Sequence, residues 1–155
     1  MIALDNGDKI QGDTTTASKV DYTLHGIVGT TVTQLADGQL PSSIGDLYTA
    51  GATVSVLAII LVNTNTTTEA VNLYLTPSGG TARKLIPQDM SLGADHSLHT
   101  DGKTIQVLDT LGEILTTEGR LADGELKLTP KPSSSGAEGT VFYDSDDDHV
   151  YVATE

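Results

Sequence analysis

The side chains equipped for chemistry are few and widely spaced. The imidazoles are His25, His96, His99 and His149. His96 and His99 stand three apart beside Asp95 and Asp101, a spacing that would serve zinc on a helix. The surrounding pattern is that of a loop or strand, so these residues are expected to be solvated and to hold no metal. Asp144-Ser-Asp-Asp-Asp148 opens like a calcium loop, with carboxylates at alternate positions. Such a loop needs a glycine at its sixth position and a glutamate at its twelfth. Here His149 is sixth, and a strand pattern at Val150–Val152 separates the turn from Glu155, so a charged hairpin turn is expected.

Other reactive arrangements fail in similar ways. Ser91 and Ser97 lie near the histidines but have no Gly-x-Ser-x-Gly elbow around them. Ser78-Gly-Gly-Thr81 is too short for a phosphate loop and leads into a strand, where a helix N-terminus would be required. Asn65-Thr-Thr67 fits a glycosylation acceptor, yet its setting is that of a turn. Carboxylates are so numerous that no single pair is informative. No catalytic residue and no cofactor is expected.

The charge balance narrows the partners. Lys and Arg total 8 against 21 Asp and Glu, a formal net charge of −13 over 155 residues. Nucleic-acid affinity comes from clustered cations that release counterions. The cations here are scattered, so neither nucleic acid nor an anionic membrane is an expected partner. Cysteine is absent, which removes disulfides and thiol chemistry. Met1–Asp8 lacks the basic start and apolar run of a secretion signal.

The elements that must carry these residues are organised around Thr53-Val-Ser-Val-Leu-Ala-Ile-Ile-Leu-Val-Asn63. This run is too short for a membrane span, which needs about 20 apolar residues. Its β-branched content predicts a strand buried on both faces or nearly so. After a Thr/Asn-rich turn, Val71, Leu73 and Leu75 alternate with Asn72 and Tyr74, which predicts a half-exposed strand paired with the first as a central hairpin. Val20, Tyr22 and Leu24 predict an earlier strand, and Thr30-Thr-Val-Thr33 its return. Asp37-Gly38 sits where a tight turn is expected. Strand signals recur about every ten residues as far as Leu111–Thr117, the pattern of an all-β sandwich or barrel.

Three regions are expected on this basis. Residues 1–45 form an extended N-terminal arm with short strands, and residues 46–118 form an antiparallel β-sandwich, Ig-like or jelly-roll-like. Residues 119–155 form a Pro/Ser/Gly linker, Pro130–Gly139, and a C-terminal β-hairpin. Leu121-Ala-Asp-Gly-Glu-Leu126 repeats the pattern of Leu35-Ala-Asp-Gly-Gln-Leu40, which is too little for a repeat architecture.

Tyr48-Thr-Ala-Gly51, Ile60-Leu-Val-Asn-Thr-Asn65, Val71-Asn-Leu-Tyr-Leu75 and Gly80-Thr-Ala-Arg-Lys-Leu-Ile-Pro87 together resemble a small β-sandwich domain of tailed-bacteriophage structural proteins. Glu138–Val152 is similar to the short terminal hairpins of phage fibre and virion proteins. The resemblance spans roughly 46–115 and the last eighteen or so residues. It implies localisation in the virion and a structural role without enzymatic activity, as a capsid decoration protein or an accessory of the neck or tail. It leaves open a receptor- or glycan-binding module of a tail fibre, with Tyr74 as the candidate ligand contact, or an extracellular filament subunit. The expected partners are the chain itself, with a trimer favoured, and other virion proteins. Val141, Tyr143, Val150 and Val152 of the terminal hairpin are the candidate assembly residues, since a lone hairpin leaves such side chains wet.

Overall fold

Short runs of alternating apolar residues become strands when a second layer covers one of their faces. The computed structural model describes residues 1–115, 141–144 and 149–152. The chain divides into two units, Met1–Leu115 and Thr116–Glu155. In the first unit the strands are β1 (Ile2–Leu4), β2 (Lys9–Thr14), β3 (Val20–Val28), β4 (Thr31–Gln39), β5 (Gly45–Thr49) and β6 (Val54–Asn63). They continue with β7 (Glu69–Thr76), β8 (Arg83–Lys84), β9 (Met90–Leu92), β10 (Ser97–Thr100) and β11 (Ile105–Leu108). In the second unit β12 (Val141–Asp144) pairs antiparallel with β13 (His149–Val152).

The first unit is an all-β, antiparallel β-sandwich. One sheet runs β11-β10-β6-β3-β4, and the other runs β5-β2-β7-β8 with β9 also on β7. β6 is the spine of the first sheet. β3 pairs with it from Val54 to Asn63, while its other edge is shared between β10 at Ile59–Val62 and β1 at Val54–Val56. The core lies between the sheets. Leu24, Ile59, Leu61 and Leu98 from one sheet and Ile10, Val71, Leu73 and Leu92 from the other are fully buried.

Four expectations need correction. Residues 1–45 are no arm: they supply β1, β2, β3 and β4, with β2 and β3 as interior strands of the two sheets. Ile2, Leu4, Ile10, Val20 and Leu24 are all core residues. Each run holds only two or three of them, so the period is too short to stand out against the polar residues between. The sandwich therefore begins at β1 rather than at residue 46, and the first unit ends at Leu115 rather than 118.

β6 and β7 do not form a hairpin. They belong to different sheets, and residues 64–68 arch between the layers. Nor is β6 buried on both faces. Val54, Val56, Ile59 and Leu61 point inward and are buried, but Val62 on the other face is 37% exposed.

Asp37-Gly38 is not a turn either. Both residues lie inside β4, with Gly38 opposite Tyr22. A Cβ on Gly38 would stand 3.1 Å from the Tyr22 hydroxyl oxygen and 3.2 Å from the ring, so the ring covers the missing side chain. The β3–β4 hairpin turns instead at Gly29, whose φ is +62°.

Candidate functional site

The outer face of the second sheet carries Tyr74. Alternation along β7 turns Leu73 into the core and leaves Tyr74 half-buried on the outside, opposite Gln11 of β2 and Lys84 of β8. Asn72 is the outward residue one step before it, opposite Asp13. The Asn72 amide nitrogen donates to Asp13 Oδ1 at 2.9 Å and to Asp89 Oδ1 at 3.1 Å, and its oxygen accepts from the Asp89 backbone N–H at 2.8 Å. Asp89 has φ +52°, a left-handed conformation that aspartate tolerates when its backbone N–H is held in this way. Burial, with the carboxylates of Asp13 and Asp89 nearby, holds the Tyr74 phenol above its ordinary value.

A second polar chain runs alongside. Thr76 Oγ1 donates to Gln11 Oε1 at 2.5 Å, and Gln11 Nε2 donates to Asp46 Oδ1 at 2.6 Å. Lys9 Nζ reaches the other Asp46 oxygen at 2.6 Å. Hydrogen bonds from Lys9 and Gln11 hold the Asp46 carboxyl below the usual range. Chemically, this face offers one aromatic ring and carboxylate acceptors. Both hydrogens of the Asn72 amide are already engaged, so any ligand here would bind through Asp13, Asp89 and the Tyr74 ring.

The arch between the sheets holds the polar groups buried most deeply. Asn63 and Glu69 bracket it, at 0% and 1% exposure. The Asn63 amide nitrogen lies 2.9 Å from the carbonyls of Thr67 and Leu92 and 2.8 Å from that of Gly93. Its oxygen accepts from Asn65 N at 2.9 Å. Glu69 Oε1 accepts from Asn65 Nδ2 at 2.7 Å, while Oε2 accepts from Thr16 N at 2.8 Å and Thr14 Oγ1 at 3.2 Å. Burial alone would raise the Glu69 pKa, but the bonds from Asn65, Thr16 and Thr14 outweigh it and hold the carboxyl below its ordinary value. Sequence reading saw this stretch as a polar turn and missed its burial. The available signal was an Asn and a Glu at the inward positions that begin and end an otherwise apolar alternation.

His96 and His99 serve separate places in the first unit. His96 belongs to the turn before β10, where its backbone N–H donates to Gly93 O at 3.1 Å. His99 lies within β10 opposite Ile60, its Nε2 3.1 Å from Ser97 Oγ. Asp101 is occupied in capping the β10–β11 turn. Thr104 N and Lys103 N each donate to it at 2.8 Å and hold its carboxyl far below the usual carboxylate range. Among the described residues, no three His, Asp or Glu side chains group as metal ligands.

Of the expected assembly residues, Val141 stands opposite Val152 and Tyr143 opposite Val150 in the β12–β13 ladder. The acidic turn between them (145–148), the linker and the 121–126 echo lie outside the described residues. Comparison with protein-family profiles, with curated proteins and with solved structures finds no match for this chain.

Proposed function

We propose that this chain is a non-enzymatic structural component of a tailed-phage particle, either a capsid decoration protein or an accessory of the neck or tail. The sequence resemblance motivates the reading. The observation that carries it is the use to which the described carboxylates are put. Asp8, Asp101 and Asp109 cap turns through backbone N–H groups, Glu69 clamps the inter-sheet arch, and Asp46 pairs with Lys9. Polar chemistry thus serves rigidity, which suits a subunit displayed on a particle. The test is to trace this chain, by specific antibody and mass spectrometry, in purified virions from the source phage. Its absence from intact particles would overturn the proposal.

A second reading, a glycan- or receptor-binding module, is favoured by the half-buried Tyr74 beside Asp13, Asn72 and Asp89. Aromatic stacking with flanking acceptors is a common chemistry for sugars. Loss of cell attachment in Tyr74→Ala particles that assemble normally would replace decoration by adhesion.

A further inference from the structure

Asn6-Gly7 lies in the turn that joins two strands of different sheets. β1 ends at Leu4 on the edge of β6, and β2 begins at Lys9 between β5 and β7. The chain between them crosses from one layer to the other. Gly7 makes the crossing with φ +89°, and a Cβ there would stand 2.6 Å from Ser78 Oγ. The turn therefore needs glycine at this position.

That glycine exposes Asn6 to a reaction of its own backbone. Asparagine is a chemically labile residue, and a following glycine puts no side chain in the way of ring closure. Gly7 N bonds to Asn6 Cγ, the bond from Cγ to the amide nitrogen breaks, and ammonia leaves with the proton that Gly7 N gives up. Water then opens the resulting succinimide at either carbonyl. One product is aspartate in an unaltered backbone. The other is isoaspartate, with the backbone rerouted through the side-chain carbon.

The closed turn withholds both reacting groups. Gly7 N donates to Ala50 O at 2.7 Å, so the nucleophile is engaged. The Asn6 amide faces Gly51 O at 3.0 Å and Ala50 O at 3.3 Å, which assigns its nitrogen to that side as the donor to both. Asp8 fastens the turn from its other end. Its N–H donates to Asp5 O at 3.0 Å, and its carbonyl accepts from Ala50 N at 2.8 Å. Its carboxylate accepts from Asp5 N at 2.9 Å and Ser78 N at 2.8 Å. Ring closure requires Gly7 N to leave Ala50 and the Asn6 amide to leave its carbonyls, so the turn must open first.

We propose that Asn6 is a latent modification site, protected while the β1–β2 turn is closed and converted to aspartate and isoaspartate when it opens. A carboxylate at position 6 has no hydrogen to give the Gly51 and Ala50 carbonyls, and it joins Asp5 and Asp8 in one short turn. Isoaspartate also lengthens a crossing whose ends are fixed in different sheets. β1, held by three residue pairs on β6 and by the buried Ile2 and Leu4, is the element that either product loosens. The proposal goes beyond the proposed function and does not rest on it.

The test is incubation of the full-length chain at neutral pH, folded and in guanidinium chloride, followed by peptide mapping and an isoaspartate assay. The peptide holding residues 6 and 7 should gain about 1 Da as its amide becomes a carboxyl. Conversion should be at least about tenfold slower in the folded chain than in the denatured one, a ratio set by the opening of the turn. Asp8→Ala removes the acceptor for Asp5 N and Ser78 N outside the core and should narrow that ratio severalfold. Asn6→Asp should speed hydrogen exchange in β1 while keeping the far-UV spectrum of the parent. Equal rates in the folded and denatured chain would overturn the proposal, as would no conversion in denaturant. An unchanged ratio in Asp8→Ala would overturn the turn as the gate, and unchanged exchange in Asn6→Asp the loosening of β1. If Asp8→Ala fails to fold, the parent's two rates decide the matter alone.

Discussion

The two outer faces of the sandwich solve the same problem in opposite ways. On the second sheet, Lys9, Asp46, Gln11 and Thr76 form one hydrogen-bonded chain, and Asp13, Asn72 and Asp89 form another. Those side chains are bonded to one another. On the first sheet the centre is Leu57, Ala58, Ile60 and Val62, and the side-chain hydrogen bonds beside it are Gln39–Asp21, Gln34–Asp37 and the His99–Ser97 contact. Equal strand architecture therefore does not mean equal readiness for a partner. A face with its polar groups mutually paired gains little from being covered. An apolar one gains roughly 25 cal/mol for each Å² removed from water.

The sharpest break of this contrast lies within β6 itself. Leu61→Ala removes a fully buried side chain and should cost about 2–5 kcal/mol in denaturant unfolding. Ile60→Ala, one residue earlier and only half-buried on the outer face, should cost about 1 kcal/mol or less. Equal losses would mean that the outer face is a second core.

Next in size is Glu69→Gln, which unties the arch that turns β6 and β7 into different sheets. Leaving the buried Thr14 hydroxyl and the half-buried donors of Thr16 and Asn65 badly matched should cost about 1–3 kcal/mol. The pH dependence follows in sign. The folded pKa of Glu69 lies below its ordinary 4.5, so its contribution is present above that value and fades as pH falls through the folded pKa. Glu69→Gln should lose part of the parent's acid sensitivity below about pH 4.5, leaving the part due to Asp8, Asp46 and Asp101, whose pKa values are also lowered. An unchanged acid limb would show the clamp to be idle.

Smaller effects are expected on the polar face. Asn72→Ala frees Asp13 and Asp89 and should cost about 0.5–1.5 kcal/mol by thermal unfolding, because water can replace part of what is lost. Lys9→Ala breaks a pair whose side chains are 37% and 43% exposed and should change stability by no more than about 1 kcal/mol, less at high salt. A large loss from Lys9→Ala would show the polar face to be as structurally critical as the core.

Much of the fold was legible in the chain. Strands with period two, glycine and proline between them, and no helical period establish an all-β protein. The alternation at Val20–Leu24 and Val71–Leu75 corresponds to real strands with the expected inward sets. The early strands were harder to read because β1 and β2 place only Ile2, Leu4 and Ile10 in the apolar core, the inward Gly12 and Thr14 having no apolar signature. Asp37-Gly38 misled because its turn chemistry is strong locally, while the Tyr22 ring that makes it a strand is close only in space.

Sequence by itself therefore determined the element type, the acidic surface and the absence of thiol chemistry, since these follow from side-chain identity and from periods of a few residues. Tertiary structure alone decided that β6 and β7 part into different sheets and that Asn63 and Glu69 are buried. It also decided which half of an apolar strand faces out. Each of these depends on groups far apart in the chain, such as Glu69 with Thr14 or Asn63 with Leu92, and on a one-residue bulge at Leu57 that restores the inward register. The side-chain direction of a strand reverses at every residue, so a single inserted position changes which face meets the core and which is left for a partner.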